Sequence, residues 1–398
     1  MAKICFTWEL GQGLGHLVRY DTLIERLVCR GDEVWFLAKD AARARAVFAG
    51  RSVNIEQIEP GSTPREYSFG ALDSYPEILN NFGFYAPDPL ERQVQPWLTK
   101  FTALAPDILV VDHSPTALLA NRISQIPMIS SGSGFTVPLK SAPMKSLRYW
   151  ELRRGERLAD TERHVLEVCN VVLRRAGVAT LNALSDLLVA QCEWLLTFAE
   201  LDHYGIRDGA RYLGSFPSSA FGAAPQWPEH PGPKVFAYIS TPTLSREFVE
   251  ALSAVGANLC LYAPDLAHEE TAKLVAQRTY RAGSPVNLGL AASQCQAVIS
   301  NGGLNTVSAV MCAGRAQLTL PNNLERYMVG RRLELTGAGL MAPTENPGDL
   351  AAKLRAVLHD RAFSRAAERF AERYRSQTAE LQVATMLADI DRLLQPAL

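Results

Sequence analysis

The amino-acid sequence predicts an α/β protein built from two doubly wound parallel sheets. Three observations carry that expectation. Short apolar runs alternate with helical patterns in both halves of the chain. A glycine-rich turn follows a strand in each half, at Gly11–Gly15 and at Gly302-Gly303. Between the halves, 214–233 is rich in proline, glycine and serine and has little periodicity, so it reads as a linker. A length of 398 residues suits two ordinary domains, and 47% hydrophobic residues can fill two cores.

The first half opens with the strand Ile4-Cys5-Phe6 and the turn Gly11-Gln12-Gly13-Leu14-Gly15. Leu17, Tyr20, Leu23, Ile24, Leu27 and Val28 then recur at helical spacing until Gly31 stops the helix. Val34–Ala38 is a second buried strand, and Ile108–Val111, Pro115–Ser124 and Ile126–Ser130 repeat the strand-helix-strand unit. Residues 140–200 read as mainly helical. The second half begins with strand Val235–Ile239, helix Arg246–Val255 and strand Asn258–Tyr262. It continues through strand Ala297–Ser300, helix Leu304–Cys312 and strand Gln317–Leu320, and 348–398 reads as helices. The expected domains are 1–213 and 234–375, joined by the linker 214–233, with a C-terminal helix at 376–398 that can pack back on the first domain.

The totals exclude several classes. With 40 basic against 41 acidic residues the formal net charge is −1, which gives no general reason to expect nucleic acid as a partner. The 7 cysteines are odd in number and form no C-x-x-C pair, against a disulfide framework or zinc site and in favour of a reducing compartment. Met1–Glu9 reads as a strand rather than a signal peptide, and no run approaches the roughly 18 apolar residues of a membrane span. The expected location is cytoplasmic.

In doubly wound sheets ligands bind beyond the carboxyl ends of the strands, so the two glycine-rich turns are the candidate sites. Gly302-Gly303 opens a helix whose first amides carry partial positive charge and suit a phosphate, and Asn305 and Thr306 can add side-chain hydrogen bonds. The alternative is a tight turn capped by Asn305. The first turn does not complete a dinucleotide fingerprint, because its third glycine position holds His16. A histidine there can act as a general base, and Asp112, at the end of the strand Ile108–Val111, can orient it. The plainer alternative is that both residues cap helices.

Val298–Gly339 resembles the donor-binding signature of the UDP-glycosyltransferase superfamily: paired glycines, Asn305 and Thr306, an apolar helix, a strand ending in proline, an acidic residue at Glu325 and a final Gly-x-Gly. Gly15-His16, the segment 106–120 with Asp112, Tyr212-Leu213-Gly214 and 235–241 resemble other parts of the same family. The resemblance implies the GT-B arrangement, two Rossmann-like domains facing across a cleft. It further implies an inverting, metal-independent transfer from a nucleotide sugar (UDP- or dTDP-linked) to the hydroxyl of a small-molecule or glycan acceptor, with no cofactor beyond the donor substrate. His16 would be the base and Asp112 its partner. The donor would meet Gly13, Thr241, Asn301, Gly302, Gly303, Asn305, Thr306, Glu325 and Arg326.

The pattern breaks at four places. Asn301 stands where the family has a phosphate-binding histidine and cannot become cationic. Arg326 stands in place of glutamine and accepts no hydrogen bond, which suggests an acidic group on the donor or acceptor. Arg315 replaces a proline, and Ser240 replaces a glycine before Thr241. These departures keep two other readings in view: a catalytically silent homologue that binds a nucleotide sugar or a partner enzyme, and a sugar-nucleotide epimerase or hydrolase. Three further features sit outside the motif. Leu139–Arg157 is basic and could lie on an anionic membrane, although Glu151 and Glu156 dilute it and a solvated helix near the acceptor is the preferred reading. Trp8, Phe82, Phe84 and Tyr85 are core or acceptor-pocket candidates. Asp389-Ile390-Asp391, the one Asp-x-Asp, reads as a solvated helix face rather than a metal site.

Overall fold

In the first part of the chain the strands form a parallel sheet because short Ile, Leu, Val and Phe runs are buried on both faces by the helices that connect them. The computed structural model describes residues 1–11, 14–59, 72–151, 155–216, 222–240, 246–264, 278–346 and 348–395. Its first sheet comprises β1 (Lys3–Trp8), β2 (Glu33–Ala38), β3 (Asn54–Gln57), β4 (Ile108–Asp112), β5 (Met128–Gly132) and β6 (Cys192–Leu195) in the order β3-β2-β1-β4-β5-β6. The register sets Trp8 of β1 opposite Asp112 of β4, and Asp112 opposite Ser131 of β5. Three adjacent strands therefore end side by side with polar or aromatic side chains at one edge.

The second sheet comprises β7 (Lys234–Tyr238), β8 (Asn258–Tyr262), β9 (Thr279–Arg281), β10 (Ala297–Ser300), β11 (Ala316–Thr319) and β12 (Gly339–Met341) in the order β12-β11-β10-β7-β8-β9. All its described pairings are parallel. Helix Leu304–Cys312 follows β10 and helix Leu324–Thr336 follows β11, so both begin at the carboxyl ends of neighbouring strands.

Each sheet lies in its own compact unit. The first unit is Met1–Leu196, Arg207–Leu213 and Glu380–Leu398; the second is Thr197–Ile206 and Gly214–Ala379. Two boundaries differ from the expectation. Thr197–Ile206 leaves the first domain because Phe198 and Leu201 pack with Leu304, Leu333 and Phe370. The described part of 214–233 is body of the second unit, not linker: Ala223 bridges Val286, and Asn258 donates to the carbonyl of His230 at 2.6 Å. Proline and glycine there serve turns against the sheet.

The region read as mainly helical, 140–200, holds one long helix, Gly155–Arg175, and then the edge strand β6. The described residues of 139–151 form no helix. Among the described basic residues, Arg148 pairs with the buried Asp73 at 3.2 Å, Lys140 with Glu193 at 2.7 Å, and Arg157, in the helix that follows, with Asp73 and with Glu77 at 3.1 Å. Arg153 and Arg154 lie outside the described residues. No helix among the described residues is long and apolar enough to cross a membrane.

The last helix, Ala379–Leu394, buries Val383, Met386 and Ile390 in the first unit's core with Trp194 and Leu213. Asp389 is part of that docking, which corrects the solvated-face reading. It is 6% exposed, accepts from Trp194 Nε1 at 2.8 Å and bonds Arg211, while Asp391 stays outside and pairs with Arg30 at 2.6 Å. Burial pushes the Asp389 carboxyl up, but these hydrogen bonds outweigh it and hold it below its ordinary value. Asp389→Ala strips the partner from a buried indole N–H and should cost about 2 kcal/mol. A urea-unfolding midpoint equal to wild type would contradict this.

Candidate active site and donor-phosphate site

At the edge of the first sheet, His16 and Asp112 meet directly. His16 lies in the short helix Gly15–Val18, and its Nδ1 is 2.9 Å from Asp112 Oδ1. Neither residue serves as a helix cap: Leu14 precedes the His16 helix with no side-chain bond, and the helix after β4 is capped from elsewhere. Asp112 is 1% exposed. Burial alone would raise its pKa, yet the charges of His16 and Arg19 and the bonds from His16 and Tyr20 hold the carboxyl below the usual range. An ionised Asp112 takes the Nδ1 proton of His16 as its donor. That leaves Nε2 with the lone pair, the tautomer a base needs.

Three residues hold the carboxylate in place, and sequence reasoning had not assigned them. Tyr20 Oη donates to Asp112 Oδ2 at 3.0 Å and lies 2.7 Å from Ser131 Oγ; with its hydrogen on the carboxylate, it receives one from Ser131. Arg19 Nη1 stands 3.7 Å from the same Oδ2, with its Nε on the carbonyl of Gly15 at 2.6 Å. Tyr20 follows His16 by four positions, between the helices Gly15–Val18 and Asp21–Cys29, and in the sequence it reads as an apolar core position.

The His16 ring is roughly parallel to Trp8, 5.8 Å away at 18°, and to His113, 6.1 Å away at 25°. Trp8 is fully buried, so it is core and also a wall for the base. Phe84 is core as well, with Phe82 and Tyr85 half-buried. Burial, and then the neighbouring His16, push the His113 imidazole down to about 3, so it stays neutral near pH 7. Beside the Nε2 atom stands Gly11: with φ +86°, it would place a Cβ only 2.4 Å from that nitrogen. A side chain there would fill the space in front of the base. Gly13 lies outside the described residues.

Glu9, at the end of β1, was not singled out from the sequence. It caps the helix Pro115–Ser124, accepting from Thr116 N at 3.0 Å and from the Thr116 hydroxyl at 2.5 Å, which in turn accepts from Trp97 Nε1 at 2.8 Å. Burial nevertheless pushes its carboxyl up to about 7, against the lowering effect of these bonds and of Lys39. A carboxyl raised in the folded state binds a proton there that the unfolded chain releases near its ordinary value of about 4.3. Its contribution to stability is thus present at low pH and lost as pH rises toward 7. Glu9→Gln should match wild type in thermal midpoint at about pH 4 and exceed it at about pH 8. Equal midpoints at both values would contradict the assignment.

In the second unit the glycine pair leaves β10 and opens helix Leu304–Cys312. Gly302 has φ +82°, and a Cβ on it would lie 3.2 Å from the carbonyl oxygen of Arg326, so its bareness lets the starts of two helices approach. Gly303 is the N-cap and offers no side chain. Among the described residues nothing accepts from the amides of Leu304, Asn305 and Thr306, and Thr306's hydroxyl has no partner. This is an open helix N-terminus of the kind that binds phosphate.

The remaining donor-site candidates fall into place around it. Asn305 Oδ1 accepts from Ser215 at 2.9 Å. The Asn301 carboxamide is turned to the backbone: Oδ1 accepts from Ser240 N at 2.6 Å and Nδ2 donates to Leu320 O at 2.9 Å, tying together the ends of β7, β10 and β11. It therefore shapes the turn. Glu325 sits half-buried in the first turn of helix Leu324–Thr336. Arg326 donates to Asn322 Oδ1 at 2.8 Å rather than to Glu325. Arg315 caps the helix Leu288–Gln294 through the carbonyls of Ala292 and Ser293, at 2.9 and 3.1 Å, which accounts for the missing proline. Thr241 lies outside the described residues.

Comparison with known proteins bears on this geometry. Residues 246–390 match the family model described as the C-terminal domain of erythromycin biosynthesis protein CIII-like proteins. Over 99% of this chain and 100% of the other, the fold is similar to glycosyltransferase VinC in complex with dTDP, with a TM-score of 0.71 at 16% identity. The fold is GT-B. The GT-B chain is also similar to the spinosyn rhamnosyltransferase SpnG complexed with spinosyn aglycone, with a TM-score of 0.68 at 17% identity over 97% of this chain and 100% of that one. A curated relative is a PGL/p-HBAD biosynthesis glycosyltransferase of Mycobacterium tuberculosis (strain ATCC 25177 / H37Ra), 35% identical over 86 residues. That match takes in 21% of the GT-B chain and only 20% of the relative's length.

Proposed function

We propose that the chain transfers a sugar from a nucleotide sugar, UDP- or dTDP-linked, to a hydroxyl of a small-molecule or glycan acceptor, inverting the anomeric centre without a metal ion. The observation that carries this reading is the His16–Asp112 contact of 2.9 Å, with Nε2 beside the bare Gly11. The acceptor oxygen attacks the anomeric carbon and forms the new C–O bond. The bond from that carbon to the diphosphate breaks, and the acceptor proton passes to His16 Nε2. Asp112 then balances the imidazolium. The amides at Leu304–Thr306, with the Thr306 hydroxyl, stabilise the departing diphosphate, and Glu325 receives sugar hydroxyls. The complex of VinC with dTDP and that of SpnG with an aglycone support a nucleotide donor and a small-molecule acceptor.

One screen tests it. The protein is incubated with UDP- and dTDP-sugars, with and without hydroxylated acceptors including coumarins, and free nucleotide is detected. Acceptor-dependent release is the expected result. Release without acceptor would indicate an epimerase- or hydrolase-type reaction. Thermal stabilisation by nucleotide with no release would indicate a silent binding homologue, a reading that the backbone-turned Asn301 keeps open.

A further inference from the structure

His113 has a conformation and surroundings that the base-and-carboxylate pair does not use. Among the described residues three non-glycine positions have positive φ: Ala105, Gln125 and His113. Ala105 and Gln125 are helix C-caps, where a left-handed residue ends the helix. His113, at φ +44°, caps nothing. Its carbonyl accepts from Leu10 N at 2.9 Å, which pins the backbone in this strained form directly after Asp112. The residue is 7% exposed, and among the described residues neither ring nitrogen has a hydrogen-bond partner. Its ring lies against His16 at 6.1 Å and meets Phe135 edge-on at 6.3 Å.

An imidazole buried with both nitrogens unsatisfied costs stability, and it costs more in a left-handed conformation. Leucine of similar size would carry no unsatisfied nitrogen there, although the left-handed strain would remain. The feature is explained if the nitrogens complete their bonds to a ligand. The ligand nearest at hand is the molecule presented to His16, whose ring lies 6.1 Å from that of His113.

We propose that His113 is an acceptor-binding residue whose ring nitrogens hydrogen-bond a second oxygen of the acceptor, on a carbon next to or one removed from that bearing the attacked hydroxyl. The substrate class is thus an acceptor with neighbouring oxygens, such as a vicinal diol, a catechol or a hydroxy-ketone. This rests on His16 being the base.

The test compares 6,7-dihydroxy-4-methylcoumarin with 7-hydroxy-4-methylcoumarin as acceptors, in wild type and in His113→Leu and His113→Asn. Wild type should favour the dihydroxy compound by about 10-fold or more in kcat/KM, chiefly through KM. His113→Leu should lower kcat/KM for the dihydroxy compound far more than for the monohydroxy one and so remove the preference, and His113→Asn, which keeps hydrogen-bonding groups and tolerates positive φ, should retain part of it. Equal use of both coumarins by wild type, or a preference that survives His113→Leu, overturns the inference. A wild type silent on both coumarins and on every other acceptor of the screen counts instead against the proposed function.

Discussion

His16→Ala should lower kcat by roughly 10²–10⁴-fold, the usual contribution of a positioned base. Nucleotide affinity should not change, because the diphosphate is assigned to the amides at Leu304–Thr306 and not to His16. Calorimetric titration with dTDP or UDP beside the turnover assay separates the two effects. Asp112→Asn should act in the same direction by a different route. Its amide can donate to Nδ1, which would place the imidazole proton on Nε2 and remove the lone pair that faces the acceptor. Unchanged turnover in His16→Ala would remove the base from the scheme.

Gly11→Ala should be nearly as damaging. Its Cβ would lie 2.4 Å from His16 Nε2, closer than any non-bonded contact tolerates. Either the imidazole swings off Asp112 or the loop moves, and a displacement of about 1 Å at a reacting group can cost about 100-fold. The φ of +86° adds a smaller penalty in stability. Acceptor kcat/KM in the alanine variant, with nucleotide affinity as the control, checks this. A wild-type rate would show that the space beside Nε2 is not where the acceptor stands.

The sequence disclosed the parts of the site that lie at strand ends and obey local rules. A strand followed by Gly302-Gly303 and an apolar helix marks an open helix N-terminus whatever the tertiary context. His16 after a glycine-rich turn and Asp112 closing an apolar run are marked in the same way. The groups that support them were hidden, because their roles arise from pairing across the sheet. Glu9 meets Thr116 and Tyr20 meets Asp112 and Ser131 only once β1, β4 and β5 lie side by side.

The misreadings have equally specific causes. The edge strand Cys192–Leu195 and the strands Thr279–Arg281 and Gly339–Met341 are too short to show a period. The basic run near residue 148 looked like an exposed face because its partners, Asp73 and Glu77, stand some seventy residues earlier in the chain. Asp389 looked solvated because Trp194 and Arg211, which bury and bond it, belong to distant segments. Asn301 adds a role that no motif discloses: its side chain bonds the backbone at Ser240 and Leu320.

The central claim is direct displacement at the anomeric carbon by an acceptor that His16 activates. The most direct test is the anomeric configuration of the product, read by NMR from the coupling of its anomeric proton and compared with that of the donor. A single displacement predicts the inverted configuration in every product formed. A retained configuration would require a second nucleophile or a front-face path and would contradict the account.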